Sequence, residues 1–386
     1  MSDMHLEPAF SLPSGFRFGE VPSDTAFSDQ VSSVPSLGPL TAFAGTFRGS
    51  GFNTIFRPDQ GSPTPLPIPA TGDNLLELNL TRETLSFSPA LGNVPNRGEV
   101  QPDAFLNGVP YVQVIQDVTV PSQPVGIHFE PGLWMSMPKT TDPHVPEPTV
   151  FRMASIPHGT TIEAQGTFLT INGKPDIKPV DITPFPINDP ANKIKFPSQD
   201  ASKKDTVRIP QDLTSFVTAG TITQAMLDDP NTLLRNHIAS QTITSTTVIL
   251  ISTQPATPLF GGGTDNVAFL LGDPAGNNPN ANAVKMEAVF WIETVEFSIE
   301  VPIFQPGQPP LIIPAETGSA GQPVPQFRVN PPIPITAPRT ITAAATQIQY
   351  SQRVLLNFNG LTWPHVSVAT LVPADPVPVP DSAFSA

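Results

Sequence analysis

The sequence predicts an all-β fold, an up-and-down antiparallel barrel interrupted by one large insertion. Three observations support this prediction. The 386 residues include 50 prolines, far above the usual share of about 5%, and proline is excluded from helix interiors and central strands. Strand-like runs separated by turn residues follow one another over 41–171. Similar runs return near the C-terminus, after a long stretch of loops and a helical segment.

The first part of the barrel is predicted to span residues 39–172. Consecutive strands joined by short connections are typical of a meander. The strand candidates are 41–56, 74–88, 109–120, 126–137, 149–157 and 160–171. Residues 1–38 are rich in Ser, Pro and Gly, so we expect an irregular N-terminal arm there.

The insertion is predicted to span residues 173–340, with short helices, long Pro-rich loops and additional strands. A helical pattern covers 210–240 and breaks at Pro230. The additional strand candidates are 242–253, 267–271 and 283–301. Residues 341–386 are expected to supply the C-terminal barrel strands, 341–358 and 361–373, and a tail.

Composition excludes several classes of function. The net charge is −14 and the longest basic cluster is a pair of lysines, Lys203 and Lys204, so the chain would repel nucleic acid. Without cysteine there is no disulfide and no thiolate ligand or nucleophile. No signal-peptide pattern and no run of about 18 apolar residues occurs. We therefore expect a soluble, cytoplasmic protein that binds neither nucleic acid nor membranes.

The segment VGIHFEPGLWMSM, residues 125–137, places polar groups in an otherwise apolar strand. Because side chains alternate along a strand, His128, Glu130 and Trp134 share one face, which we expect to line the barrel interior. The opposite face includes Phe129 and Met135, and we expect the insertion to cover it. The alternative for His128 is an ordinary strand histidine, bonded to Glu130 or to a backbone carbonyl.

The second unusual histidine is His365, which follows Trp363 and Pro364. Small residues on its face of the strand, Ser367 and Ala369, leave space beside the imidazole. A planar prosthetic group on the inner face of a barrel needs such space. The alternative is a capping histidine at the start of a strand.

Carboxylates of the long strand at 283–301 alternate imperfectly. They are Glu287, Glu293 and Glu296. We expect them to face solvent rather than to form an acid/base pair.

Several motifs, taken in order, resemble the nitrobindin family of heme-binding β-barrels, which are related to fatty-acid-binding proteins and other calycins. GTFRGSGFNTI (45–55) and RETLSFS (82–88) are similar to its first two strands. IHFEPG (127–132) is similar to its M-H-x-E-x-G motif. WPHVSVATL (363–371) is similar to its C-terminal P-H-L-x-A-x-L motif.

This resemblance implies a calycin-like barrel that holds heme b. His365 would be the proximal iron ligand, and His128 would act on the distal side with Glu130 orienting it. The implied cofactor-binding residues are Thr54, Phe129, Trp134 and Trp363. The implied function is binding of nitric oxide, or turnover of peroxide or peroxynitrite, at a ferric heme. Whether the protein is an enzyme stays open; a heme peroxidase and a peroxynitrite isomerase are the candidate activities.

Two other classes of function stay open on the sequence. One is a lipocalin-like barrel that binds an apolar small molecule without heme, with the insertion as a lid. The other is an interaction protein whose barrel is filled by its own side chains. The expected partner is a small-molecule ligand, and a homodimer is possible.

Overall fold

The fold is taken from a computed structural model that describes residues 34–59, 74–255, 261–273, 279–316 and 323–385. Of the predicted N-terminal arm, only 34–38 belong to the described residues, and the rest of that prediction lies outside them.

Within the described residues, ten long antiparallel strands close into a barrel. They are β1 (Gly45–Pro58), β2 (Asn74–Phe87), β3 (Ala104–Asp117), β4 (Val125–Met137), β5 (Thr149–Ser155), β6 (Thr160–Asn172), β7 (Thr242–Ser252), β8 (Asn282–Val301), β9 (Arg339–Phe358) and β10 (Leu361–Pro373). Each strand pairs with the next one along the chain, and β10 pairs with β1. The predicted all-β, up-and-down barrel is confirmed, and it is consistent with a calycin-like barrel.

Short elements surround the barrel. The helices are α1 (Thr214–Ala219), α2 (Gln224–Asp228), α3 (Thr232–Ile238) and α4 (Ala268–Leu271). The short strands are Val94–Asn96, Thr140–Thr141, His144–Val145, Phe185–Pro186, Arg208–Ile209, Gly263–Asn266, Leu311–Pro314, Gln326–Val329 and Val377–Pro378. The 3-10 turns are Gly38–Ala42, Pro197–Gln199 and Asp381–Phe384. No helix of the described residues is long and apolar enough to cross a membrane.

Most predicted elements agree with the structure, and one differs in type. Pro230 separates α2 from α3, as the sequence predicts. The expected strand at 267–271 is instead the helical turn α4, in which the amide of Leu270 donates to the carbonyl of Val267 at 2.9 Å. Periodicity cannot distinguish a strand from a helical turn in so short an apolar run.

The insertion is divided by the barrel itself. The predicted range 173–340 includes β7 and β8, which are barrel strands. The segments outside the barrel wall are therefore the β6–β7 connection, which holds α1 to α3, the β7–β8 connection, which holds α4, and the β8–β9 connection. The first and the last leave the barrel at the end opposite the β9–β10 hairpin, and the β7–β8 connection leaves it at the end of that hairpin.

Aromatic side chains fill one end of the barrel. Phe43, just after the first 3-10 turn, stacks on Phe87 with ring centroids 4.6 Å apart. It also meets Trp134 edge-on at 5.5 Å, and Trp134 in turn meets Phe290 at 5.1 Å. These rings are buried, so this end of the barrel is a packed core and any interior space lies towards the other end.

A buried polar cluster lies between α3 and the outer wall of β8 and β9. Glu293, expected to face solvent, is 0% exposed. Its Oε2 accepts a 2.7 Å hydrogen bond from Gln347, whereas its Oε1 has no partner among the described residues. The neighbouring Gln349 donates to the Leu234 carbonyl in α3 at 3.2 Å. Burial raises the pKa of Glu293 to about 8, against the smaller lowering effect of Gln347.

This cluster makes stability depend on pH. The folded chain keeps a proton on Glu293 that the unfolded chain releases near its ordinary pKa of 4.5. The resulting stabilisation is complete below pH 4.5 and is lost as the pH rises towards 8. The loss of stability amounts to roughly 1.4 kcal/mol per unit of pKa shift. Because glutamine cannot ionise, Glu293→Gln removes this loss. We expect it to raise the melting temperature at pH 9 and to change it little at pH 5.

The matched control is Glu287→Gln on the same strand. Glu287 is half-buried, and although burial raises its pKa, Lys285 and Arg353 lower it below the ordinary value. Its replacement should not raise the melting temperature at pH 9. Equal melting shifts for Glu293→Gln at pH 5 and pH 9 would contradict the assignment of a buried neutral acid.

Candidate functional site

A cavity of about 260 Å³ occupies the barrel interior at the end away from the aromatic core. Three of the six histidines of the chain line it: His128 on β4, His158 in the β5–β6 turn and His365 on β10. The apolar lining includes Ile55, Ile115, Ile127, Ile156, Ile162, Leu270, Met286, Val354 and Leu356. Residues distant in sequence therefore surround one interior space.

A β-bulge sets the direction of the side chains in β4. His128 lies opposite Ile115 of β3, and the next pair joins Gly126 to Gln116, so Ile127 has no partner across the ladder. Ile127 and His128 consequently both line the cavity, although strict alternation predicted opposite faces. Phe129 points away from the cavity and is 48% exposed. The expected cover of this outer face by the insertion is thus incomplete.

The carboxylate of Glu130 lies at the centre of a buried network. It is 0% exposed and accepts hydrogen bonds from the Tyr111 hydroxyl and the Arg152 guanidinium. His128 contacts it through Nε2 at 3.1 Å. Arg152 also donates to the Tyr111 hydroxyl at 2.7 Å and to Gln352 at 2.8 Å. Glu130 therefore joins the cavity-lining His128 to an arginine in the barrel core.

The network holds Glu130 as an anion. Burial by itself raises the pKa of this carboxyl, but Arg152, with His128 and Tyr111, lowers it to about 2. An ionised carboxylate only accepts hydrogen bonds, so Nε2 of His128 carries the proton towards Glu130. Such an anion is too weak a base for general base catalysis at neutral pH. Its contact with Nε2 instead holds the ring of His128 in one orientation.

A second buried carboxylate, Glu83, lies in the same polar layer without a cationic hydrogen-bond partner among the described residues. It accepts from the Tyr350 hydroxyl at 2.6 Å and from Gln113 at 3.3 Å. Burial raises its pKa despite these hydrogen bonds. The contrast with Glu130 follows from Arg152, because a buried carboxylate stays ionised when a cation compensates its charge.

His365 is held by a chain of amide side chains. Its Nε2 lies 2.7 Å from Oδ1 of Asn53, which also accepts from the Ser367 hydroxyl at 2.8 Å. Asn53 donates to Asn79 at 3.0 Å, and Asn79 donates to Asp117 at 3.1 Å. Burial, with smaller contributions from His128 and His158, lowers the pKa of His365 to about 4. The imidazole is therefore neutral at pH 7.

His128 and His158 form a pair at the side of the cavity. Their rings meet at right angles with centroids 5.3 Å apart. Burial lowers the pKa of His158, with a further lowering by His128. His158 was not among the predicted site residues, because a histidine in a turn between strands carries no sequence signal that places it beside another strand.

The structure brings His128, Glu130 and His365 to the cavity region and leaves the other predicted residues outside it. Trp134 belongs to the aromatic core, and Phe129 faces outwards. Thr54 is buried but does not line the cavity. Trp363 donates from Nε1 to the Phe358 carbonyl at 2.9 Å and packs against the insertion residue Phe196.

The described residues hold no group of three or more His, Cys, Asp or Glu side chains able to bind a metal ion.

Loss of Arg152 should destabilise the barrel. Arg152→Met leaves Glu130 as an uncompensated buried anion, and we expect a cost of about 3–5 kcal/mol in the free energy of unfolding, measured by urea denaturation. The double variant Arg152→Met/Glu130→Gln should recover part of this loss because the buried charge is gone.

The control for this variant is Arg97→Met, which removes a largely exposed ion pair with Asp103. Exposed pairs contribute at most about 1 kcal/mol. If Arg152→Met costs as little as Arg97→Met, the Glu130 network does not stabilise the fold.

No protein-family model, no curated protein and no solved structure matches the chain.

Proposed function

We propose that this protein binds a small, largely apolar molecule inside the barrel, in the cavity around His365. One observation carries the proposal: a closed barrel with a packed base encloses a cavity in which apolar walls surround a few convergent polar groups. Ligand sites have this composition in proteins generally. A barrel filled by its own side chains, the interaction-protein alternative, would have no such space.

The cavity limits the size of the ligand. Its volume of about 260 Å³ is just below the range of about 300–1,000 Å³ for pockets that hold drug-sized ligands. A molecule of one or two fused rings is the natural occupant. Leu270 of α4 lines the cavity, so the described part of the predicted insertion that contacts the ligand is the part between β7 and β8.

A nitrobindin-like heme function is the second candidate. The donor chemistry at His365 favours it, because metal-binding histidines donate their other ring nitrogen to an oxygen acceptor, as His365 does towards Asn53. Bound ferric heme would supply an iron site for nitric oxide, peroxide or peroxynitrite. The space does not favour it, because a porphyrin exceeds this cavity, and Thr54, Phe129, Trp134 and Trp363 do not line it. Heme b therefore does not fit this cavity.

Calorimetric titration with naphthalene tests the proposal. We expect micromolar or tighter binding to the wild type and its loss in Ala281→Trp, because Ala281 lines the cavity and an indole there fills it. Ala90→Trp, on an exposed loop residue, is the matched control and should bind as the wild type does. Equal naphthalene binding by both tryptophan variants would place the ligand elsewhere.

Titration with hemin separates the two candidates. We expect no Soret band of protein-bound heme when stoichiometric hemin is added to the wild type. A stoichiometric band that disappears in His365→Ala would replace the proposal with the heme function.

A further inference from the structure

Asp117, at the end of β3, determines which atoms donate and which accept in the chain of hydrogen bonds that leads to His365. Its Oδ1 accepts from the backbone amide of Thr119 at 2.8 Å, and its Oδ2 faces Nδ2 of Asn79 at 3.1 Å. A carboxylate has no proton to donate. Asn79 must therefore present its NH₂ group to Asp117 and its carbonyl oxygen to the next residue.

The orientation of Asn79 in turn determines the orientation of Asn53 and the tautomer of His365. The Asn79 oxygen is 3.0 Å from the amide nitrogen of Asn53, so the Asn53 oxygen faces His365. That oxygen can only accept, and Nε2 of His365 must donate to it. Orientations of amides and imidazoles are ordinarily assigned from such networks, and here the carboxylate permits one assignment.

The neutral imidazole is then left with a lone pair on Nδ1. Nδ1 makes no hydrogen bond within the part of the chain that the structure describes. The Ser367 hydroxyl is directed to Asn53, and His128 is directed to Glu130. Because His365 lines the cavity, its ring offers a molecule there an acceptor that no described residue occupies.

We propose that the cavity selects apolar molecules that carry a neutral hydroxyl group, such as phenols, and binds the hydroxyl as a donor to Nδ1 of His365. This inference rests on the proposed small-molecule function. Asp117 is a positioning residue, because it acts on the ligand only through Asn79, Asn53 and His365. No covalent bond forms or breaks, and the ligand keeps its proton.

The size of the effect follows from hydrogen-bond energetics. A similar ligand without the hydroxyl proton leaves the Nδ1 acceptor desolvated and unpaired, at a cost of about 1–3 kcal/mol. A factor of ten in affinity corresponds to about 1.4 kcal/mol. We expect a preference for the hydroxyl compound of about tenfold, in the lower part of the range that this cost allows.

The test compares 2-naphthol with 2-methoxynaphthalene by calorimetric titration of the full chain at pH 7. We expect the wild type to bind 2-naphthol about tenfold more tightly. In His365→Phe, which keeps a ring without an acceptor, the ratio of the two affinities should fall to about one. Thermal unfolding of each variant establishes that it is folded.

Asp117→Asn tests the positioning role. An asparagine can donate as well as accept, so the chain of amides loses its single direction and His365 can adopt both tautomers. We expect the preference for 2-naphthol to fall below about threefold. Nitrogen-15 spectra of histidine-labelled protein should show Nε2 protonation at His365 in the wild type and a mixture in Asp117→Asn. Asp103→Asn, outside this network, should change neither measurement.

The outcomes separate this inference from the proposed function. If neither naphthalene derivative binds, both fail. If both bind equally to the wild type, the barrel binds small molecules but does not select hydroxyl donors. A wild-type spectrum with Nδ1 protonated at His365 would also overturn the inference.

Discussion

Closure of the barrel by β1 and β10 is the constraint on which the site depends. The register of this closure places Asn53 directly opposite Ser367 and beside His365, although the hydrogen-bonded pair Asn53 and His365 is 312 residues apart in the chain. An up-and-down barrel admits this contact only if all ten described strands keep their order. A shift of one residue in the register would turn His365 from the interior to the outer wall.

Polar groups inside the barrel are arranged in layers because each buried charge needs its own compensation. The aromatic core closes one end, and above it Arg152 compensates Glu130 while Glu83 has only neutral partners. The cavity begins where His128 caps the Glu130 network. The contact with Glu130 holds the ring of His128, and the contact with Asn53 holds the ring of His365. Both rings are thereby held in defined orientations beside the cavity.

Within the described residues, the outer wall of the barrel is covered by other segments on one side only. The segment between β6 and β7 packs against it through Phe196 and α3, and burial of Glu293 beneath α3 is the electrostatic cost of that contact. The wall around Phe129 stays exposed. The β6–β7 segment of the predicted insertion thus packs against one side of the barrel, and the β7–β8 segment lines the cavity through Leu270 and Ala281.

Local patterns in the sequence were sufficient to predict the class of fold, most strand positions, and two of the three cavity histidines, His128 and His365. Alternation and turn residues act over a few positions, so they are readable without the fold. Arg152, the amides that orient His365, and the place of His158 were decided by tertiary structure, because each depends on a partner many residues away. The bulge at Ile127 and the burial of Glu293 were decided in the same way: strand pairing and the packing of a distant segment set which side chains face water.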